Sequence, residues 1–175
     1  YVQGVQRQGV AACVKHYALN NEELYRHQVD VDLSDRALYE IYLPAFKAAV
    51  TRGGAWSIMG SYNKYRGTYA CHNDRLLNQI LKSEWGFDGV VVSDWGGTHS
   101  TIEAIRNGLD LEFGSWTDGL REGASNAYDM YYMAMPYLEL IERGEAGTEE
   151  LDDKVRRVLR IPFRTAMHPH KPGGA

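Results

Sequence analysis

At 175 residues the chain is one ordinary domain, long enough to bury a core but short of the roughly 250 residues of a complete eight-stranded α/β barrel. A 44% hydrophobic and 24% charged composition excludes disorder, collagen and coiled coil. A net charge of -4 offers no footprint for a nucleic-acid partner, and no apolar run approaches the ~18 residues of a membrane span. Two cysteines, Cys13 and Cys71, cannot make a disulfide framework. The opening YVQGVQRQGV reads like the interior of a longer protein, so the compartment is not legible.

The first apolar run, residues 9–14 (GVAACV), stops at Lys15-His16. Ser34 then N-caps a helix, with Leu33 and Leu38 as a hydrophobic staple and Leu38, Ile41, Tyr42 and Ala45 as its apolar face. A second run, residues 55–59 (AWSIM), leads into Gly60-Ser61-Tyr62-Asn63. Asn73 caps the next helix, which carries Leu76, Leu77, Ile80 and Leu81 at helical spacing. The third run, residues 89–92 (GVVV), ends in Ser93-Asp94-Trp95, and Ser100 with Glu103 makes a capping box for a short helix stopped by Gly108. A weaker fourth run, Leu109 to Phe113, holds Asp110 and Glu112. Residues 127–143 read as a helix ended by Gly144, and Thr148 caps a last one carrying Leu151, Val155, Val158 and Leu159. The domain is expected to span residues 1–168, with 169–175 (PHKPGGA) as a linker or tail.

Apolar runs without polar alternation are what parallel strands buried on both faces look like. Their alternation with helices predicts an α/β fold with right-handed crossovers. Four βα units make half of a (β/α)8 TIM-like barrel or a small doubly wound sheet, and the pattern alone does not choose between them.

In either fold the carboxyl ends of the strands form the ligand face, which would bring Lys15, His16, Tyr62, Asp94 and Glu112 to one mouth. Asp94 either aims its carboxylate into that cleft or caps the following helix. Lys15-His16 either binds hydroxyls or a carboxylate or forms a solvated edge. Tyr62 either serves the site or packs in the core, and Trp95 either stacks on a sugar face or fills the rim. Gly96-Gly97-Thr98 has the look of a weak phosphate cradle but reads better as a tight turn, because no glycine-rich signature supports it. His16, Asp94 and His99 match no metal-ligand spacing, and His168 and His170 lie in the tail, so no metal is expected. The absence of a Gly-x-Ser-x-Gly elbow argues against a serine hydrolase.

Several segments together resemble glycoside hydrolase family 3. They are Val14-Lys15-His16-Tyr17-Ala18, Asn20-Asn21-Glu22, Arg36-x-Leu38-x-Glu40-x-Tyr42-Leu43-Pro44-Ala45-Phe46, Met59-Gly60-Ser61-Tyr62-Asn63, Glu84 through Trp95, Gly108 through Glu112 and Val155 through Arg160. The resemblance covers nearly the whole chain and points to the β-glucosidase and β-xylosidase branch. It implies a retaining, exo-acting glycosidase without a cofactor, cleaving terminal β-D-glucosyl or xylosyl residues. It implies Asp94 as the nucleophile, Lys15 and His16 as holders of sugar hydroxyls, Tyr62 beside the nucleophile and Trp95 lining the pocket. A retaining enzyme needs a carboxylate nucleophile and a carboxylic acid about 5–5.5 Å from it. A cation and a hydroxyl beside Asp94 would favour its charged form.

The resemblance places the acid/base Glu in a following domain and further sugar-binding residues in an upstream half-barrel, neither of which this sequence contains. Glu22, Glu23 and Glu112 match no acid/base position, and the His loop of the N-acetylhexosaminidase branch is absent. The expectation is therefore the second half of a catalytic barrel, holding a nucleophile without its general acid and two strand edges that favour self-association. Its expected partners are a β-linked oligosaccharide or glycoside, the rest of the barrel and a C-terminal domain, with no nucleic acid or membrane; the family is compatible with secretion or a periplasmic site. The rival reading is a catalytically inert carbohydrate-binding fragment.

Overall fold

A computed structural model of the chain describes residues 1–114 and 127–166. Its strands are β1 (Cys13–Tyr17), β2 (Asp30–Val31), β3 (Ser57–Gly60), β4 (Lys64–Tyr65), β5 (Thr68–Tyr69) and β6 (Val90–Val92). Its α-helices are α1 (Val2–Gln6), α2 (Asp35–Ala37), α3 (Pro44–Thr51), α4 (Thr101–Arg106), α5 (Met135–Glu142) and α6 (Glu149–Ala166). Wider π-helical stretches run over Leu38–Tyr42 and Arg75–Glu84, and 3₁₀ turns over Ala70–His72 and Ala127–Met130.

The main sheet is parallel, in the order β1-β3-β6, with Cys13 opposite Ser57 and Ser57 opposite Val90. Val92 then bridges Leu111, again in parallel. Each apolar run thus adds to the same side of the one before it. A doubly wound sheet reverses direction at its switch point, whereas a barrel does not. The α/β chain is part of a (β/α)8 barrel.

The first strand lies later than the run at 9–14 suggested. Gln6 holds the preceding segment against the second run, its Oε1 accepting from Trp56 N (2.9 Å) and its Nε2 donating to Gly54 O (2.8 Å). Gly9 turns at φ +73°, and pairing begins where Ser57 N donates to Ala12 O. The fourth run contributes a single bridge at Leu111 rather than a strand.

The first two expected caps form as read. Ser34 Oγ accepts from Ala37 N at 3.2 Å and Asn73 Oδ1 from Leu76 N at 3.1 Å. Leu76, Leu77, Ile80 and Leu81 are fully buried and pack against Ile58 and Val91 of the sheet in one core. The helix after Ser34 corrects the sequence reading. Ile41 is 70% exposed, while Leu38 and Leu43 are buried and Tyr42 and Phe46 pack on the core. The Leu43 N–H donates to Leu38 O, five residues back, and this wide turn slips the apolar face past the 3.6-residue register.

Residues 127–143 are not one helix either. A 3₁₀ turn comes first, and α5 begins near Pro136, whose fixed φ suits a first turn. Helix α6 follows Thr148, but it presents a different face: Leu151, Val155 and Leu159 are exposed, while Lys154 is buried. The reason is polar reach. Lys154 Nζ donates to Leu109 O (2.6 Å), and Arg157 Nη1 donates to Phe87 O and Gly89 O (3.1 Å each), at the start of β6. The small sheet β2-β4-β5 was not foreseen; Arg66-Gly67, with φ of 52° and 85°, turns its hairpin. Residues 167–175, with His168, His170 and the expected tail from Pro169, lie outside the described residues. No described helix is long and apolar enough to cross a membrane.

Candidate active site

The site sits where β1, β3 and β6 end. One residue separates Asp94 from the end of β6 and Tyr62 from the end of β3, and His16 is the next-to-last residue of β1. Ser61 is fully buried and its Oγ donates to Ala18 O (2.7 Å), tying the ends of β3 and β1 together. The Lys15–His16 and Tyr17–Ala18 peptide bonds are cis.

His16 Nε2 is 3.3 Å from Asp94 Oδ2. The Tyr62 hydroxyl hydrogen-bonds the same carboxylate, and burial together with that negative charge pushes the phenol up to about 12. Tyr62 therefore holds its proton and donates it toward Asp94 through the neutral range. The other carboxylate oxygen, Oδ1, accepts from Trp95 N at 2.7 Å. Asp94 does not cap a helix: the next one, α4, is capped by Ser100 Oγ, which accepts from Glu103 N. Trp95 stays 59% exposed, and its ring lies so close over Gly114 that a Cβ there would sit 2.1 Å from Cδ2. Lys15 is exposed, and its charge acts on Cys13; no contact places it beside Asp94 among the described residues.

Glu112 does not join this group as a free carboxylate. Its oxygens accept from Tyr132 N (3.1 Å) and Met133 N (2.6 Å), and burial raises its pKa. It fixes the backbone at Tyr132 and Met133. Glu22 and Glu23 are exposed and bond within their own loop, Glu22 to Leu24 N and Glu23 to Arg26.

The turn at Gly96-Gly97-Thr98 is no phosphate cradle. Gly96 N donates to Phe113 O, Gly97 N to Asp94 O and His99 N to His72 Nε2, so the protein itself takes these amides. His99 stacks on Tyr69 at 3.7 Å instead of joining His16 and Asp94. Among the described residues no cluster of His, Cys, Asp and Glu could hold a metal ion.

Three residues escaped the sequence reading. Arg26 lies 4.8 Å over the Tyr62 ring and His27 packs on it at 4.2 Å, so the loop after β1 covers the tyrosine. Cys71 is fully buried, its Sγ donating to Ser61 O (3.3 Å) and accepting from the backbone of Asp94; burial pushes the thiol up to about 12. Gly60 and Gly97 close around it, since a Cβ at either would lie within 2.8 Å of Sγ. Only its place between Tyr25 and His27 marks Arg26 in the sequence, and nothing in the spacing marks Cys71.

Comparison with known proteins gives the family. The glycosyl hydrolase family 3 N terminal domain matches residues 1–161. The beta-glucosidase BoGH3A of Bacteroides ovatus is 61% identical over all of this chain and 23% of its own length. An exo-alpha-(1->6)-L-arabinopyranosidase of Bifidobacterium longum is 41% identical over 83% of the chain and 20% of its own length. The structure of beta-glucosidase 3B from Thermotoga neapolitana in complex with alpha-D-glucose superposes with a TM-score of 0.79 at 36% identity, over 98% of this chain and 24% of that one. The chain thus spans about a quarter of the length of these relatives. With the order of its strands and these matches in agreement, the chain belongs to glycosyl hydrolase family 3, within its N-terminal domain.

Proposed function

We propose that this chain carries the nucleophile half of a retaining β-glycosidase acting on terminal β-D-glucosyl or xylosyl residues. The observation that carries the reading is the Asp94 carboxylate at the mouth of three adjacent parallel strands, flanked by His16 Nε2 at 3.3 Å and the Tyr62 hydroxyl. Asp94 attacks the anomeric carbon, the glycosidic C–O bond breaks, and a glycosyl ester forms; water then cleaves that ester and inverts the carbon a second time. Tyr62 and the Trp95 N–H hold the carboxylate oxygens in place for the attack. Lys15, His16 and Arg26 supply donors for sugar hydroxyls, and the exposed Trp95 ring a face for the pyranose.

The general acid and the remaining sugar-binding residues come, in this reading, from the rest of the barrel and from a following domain. General acid catalysis contributes about 10²–10⁴-fold. The 175 residues alone should therefore turn over natural glycosides barely or not at all, and aryl glycosides with good leaving groups should suffer least.

Intact mass after incubation with a 2-fluoro glucoside carrying a good leaving group tests this, with Asp94→Ala as control. A gain of one sugar that vanishes in the variant supports the reading. No adduct with the glucoside or with the corresponding xyloside favours the inert-fragment reading.

A further inference from the structure

The segment from Ser93 to Ser100 links β6 to α4 and carries both Asp94 and Trp95. Its near end is tied down by Ser93 N donating to Leu111 O (2.9 Å), by Phe113 N donating to Ser93 Oγ (2.8 Å) and by Cys71. Its far end rests on a residue that the reaction does not use. His99 N donates to His72 Nε2 at 3.3 Å, and His72 is 1% exposed.

His72 is gripped in turn by α4. Its Nδ1 lies 2.9 Å from Glu103 Oε2, and its backbone carbonyl accepts from Asn107 Nδ2 at 3.0 Å. A ring nitrogen that accepts a hydrogen bond has its lone pair free, which puts the proton on Nδ1; that nitrogen lies beside the Glu103 carboxylate as a close polar contact without hydrogen-bond alignment. Glu103 occupies the capping-box position of α4, yet its carboxylate faces His72. The imidazole thus spans from the first turn of α4 to the backbone of the loop that presents the nucleophile.

We propose that His72 is a positioning residue for Asp94: with Glu103 behind it, the imidazole fixes the far end of the 94–100 loop and so the attack geometry of the carboxylate. The proposal rests on Asp94 being the nucleophile. A merely structural His72 would support the core as a whole; a positioning one acts on this loop alone. His72→Gln keeps an acceptor where Nε2 stood, whereas His72→Ala leaves the His99 N–H buried without one.

Amide exchange read peptide by peptide by mass spectrometry, in the longest polypeptide carrying this segment, separates these roles. The rate and the apparent affinity of 2-fluoro glucoside trapping are measured on the same samples. In His72→Ala we expect exchange across 94–100 to rise about five- to tenfold while 57–60 and 76–81 keep their protection. Trapping at saturation slows by a similar factor, the apparent affinity holds, and His72→Gln restores most of both. Unchanged exchange at 94–100, a uniform rise across the chain, or a Gln variant no better than Ala overturns the proposal. Should His72→Ala not fold, Gln and Glu103→Gln are compared with the parent by the same exchange: a rise at 94–100 in Glu103→Gln but not in His72→Gln supports it, and any other pattern overturns it. If the parent itself traps no sugar, the catalytic reading fails while the exchange still decides whether His72 holds the loop.

Discussion

His16 and Asp94 touch across a strand. Their side chains come within 3.3 Å although β1 and β6 are separated by β3, so the contact bridges two strand spacings over the end of the middle strand. Tyr62, rising from that middle strand, completes the arrangement. Each of the three groups comes from a different βα unit, and the site exists only when the sheet is assembled in this order.

Tyr62→Phe removes the hydroxyl that holds the carboxylate while leaving the ring under Arg26 and against His27. A hydrogen bond to a charged group is worth about 1.5–3 kcal/mol, and we expect trapping at saturation to slow by about 10- to 100-fold. Stopped-flow release of the leaving group measures it; a rate within about twofold of the parent would remove Tyr62 from the mechanism.

Gly114→Ala should act on Trp95. The position has φ +61°, and the added carbon would meet the indole at 2.1 Å, so backbone and ring must both give way. An aromatic contact is worth about 0.5–1.5 kcal/mol, so the apparent affinity for a fluoroglycoside should weaken by about two- to tenfold, with a changed near-ultraviolet dichroism. An unaltered affinity would mean that the ring does not touch the sugar.

The Asp110 side chain is wholly enclosed, accepting from Lys82 Nζ at 2.7 Å and from Val91 N at 2.8 Å. Lys82→Met strips the ammonium from a buried carboxylate and should cost about 3 kcal/mol in urea unfolding. The double variant with Asp110→Asn should recover part of that loss. Equal stability of the single variant and the parent would show that Arg157, 4.0 Å away, and the buried Lys154 neutralise Asp110 without Lys82.

Stability should fall on the acid side through His72. Burial, and then the neighbouring His99, lowers its pKa from an ordinary 6.5 to about 4, with a hydrogen bond to its own backbone pulling the other way. Between those values the unfolded chain binds a proton that the folded one refuses. This contribution is whole above about 6.5 and is lost as pH falls through about 4. Urea midpoints of the parent should drop over that window more steeply than those of His72→Gln. Parallel slopes would assign the acid sensitivity to other groups.

Much of this was legible in the sequence because the signals were local. GVVV ending at Asp94 gave a strand and a rim residue together, and Ser34 and Asn73 form the caps their side chains suggest. What was hidden depends on long-range chemistry. The face of α6 follows Lys154 and Arg157 reaching for carbonyls of other elements, and hydrophobic spacing at Leu151, Val155 and Leu159 pointed the other way. The π turn at Leu38–Tyr42 exposes Ile41 by a slip that a 3.6-residue count does not contain. Cys71 and Arg26 reach the site through the fold of their loops, which no motif spells out.

The grip of Arg157 on Phe87 O and Gly89 O, across sequence separations of 70 and 68 residues, bears on the order of assembly. The strand that leads to Asp94 is clasped at its start by a helix made long after it. During synthesis β6 and its Asp94 emerge first and wait, their base unclasped, until that arginine has left the ribosome. Contacts of such separation carry a large loop-closure entropy and form slowly. The seating of β6 and of Asp94 is thereby later than the synthesis of the strand itself, and a chain cut before residue 157 would carry His16, Tyr62 and Asp94 without that clasp.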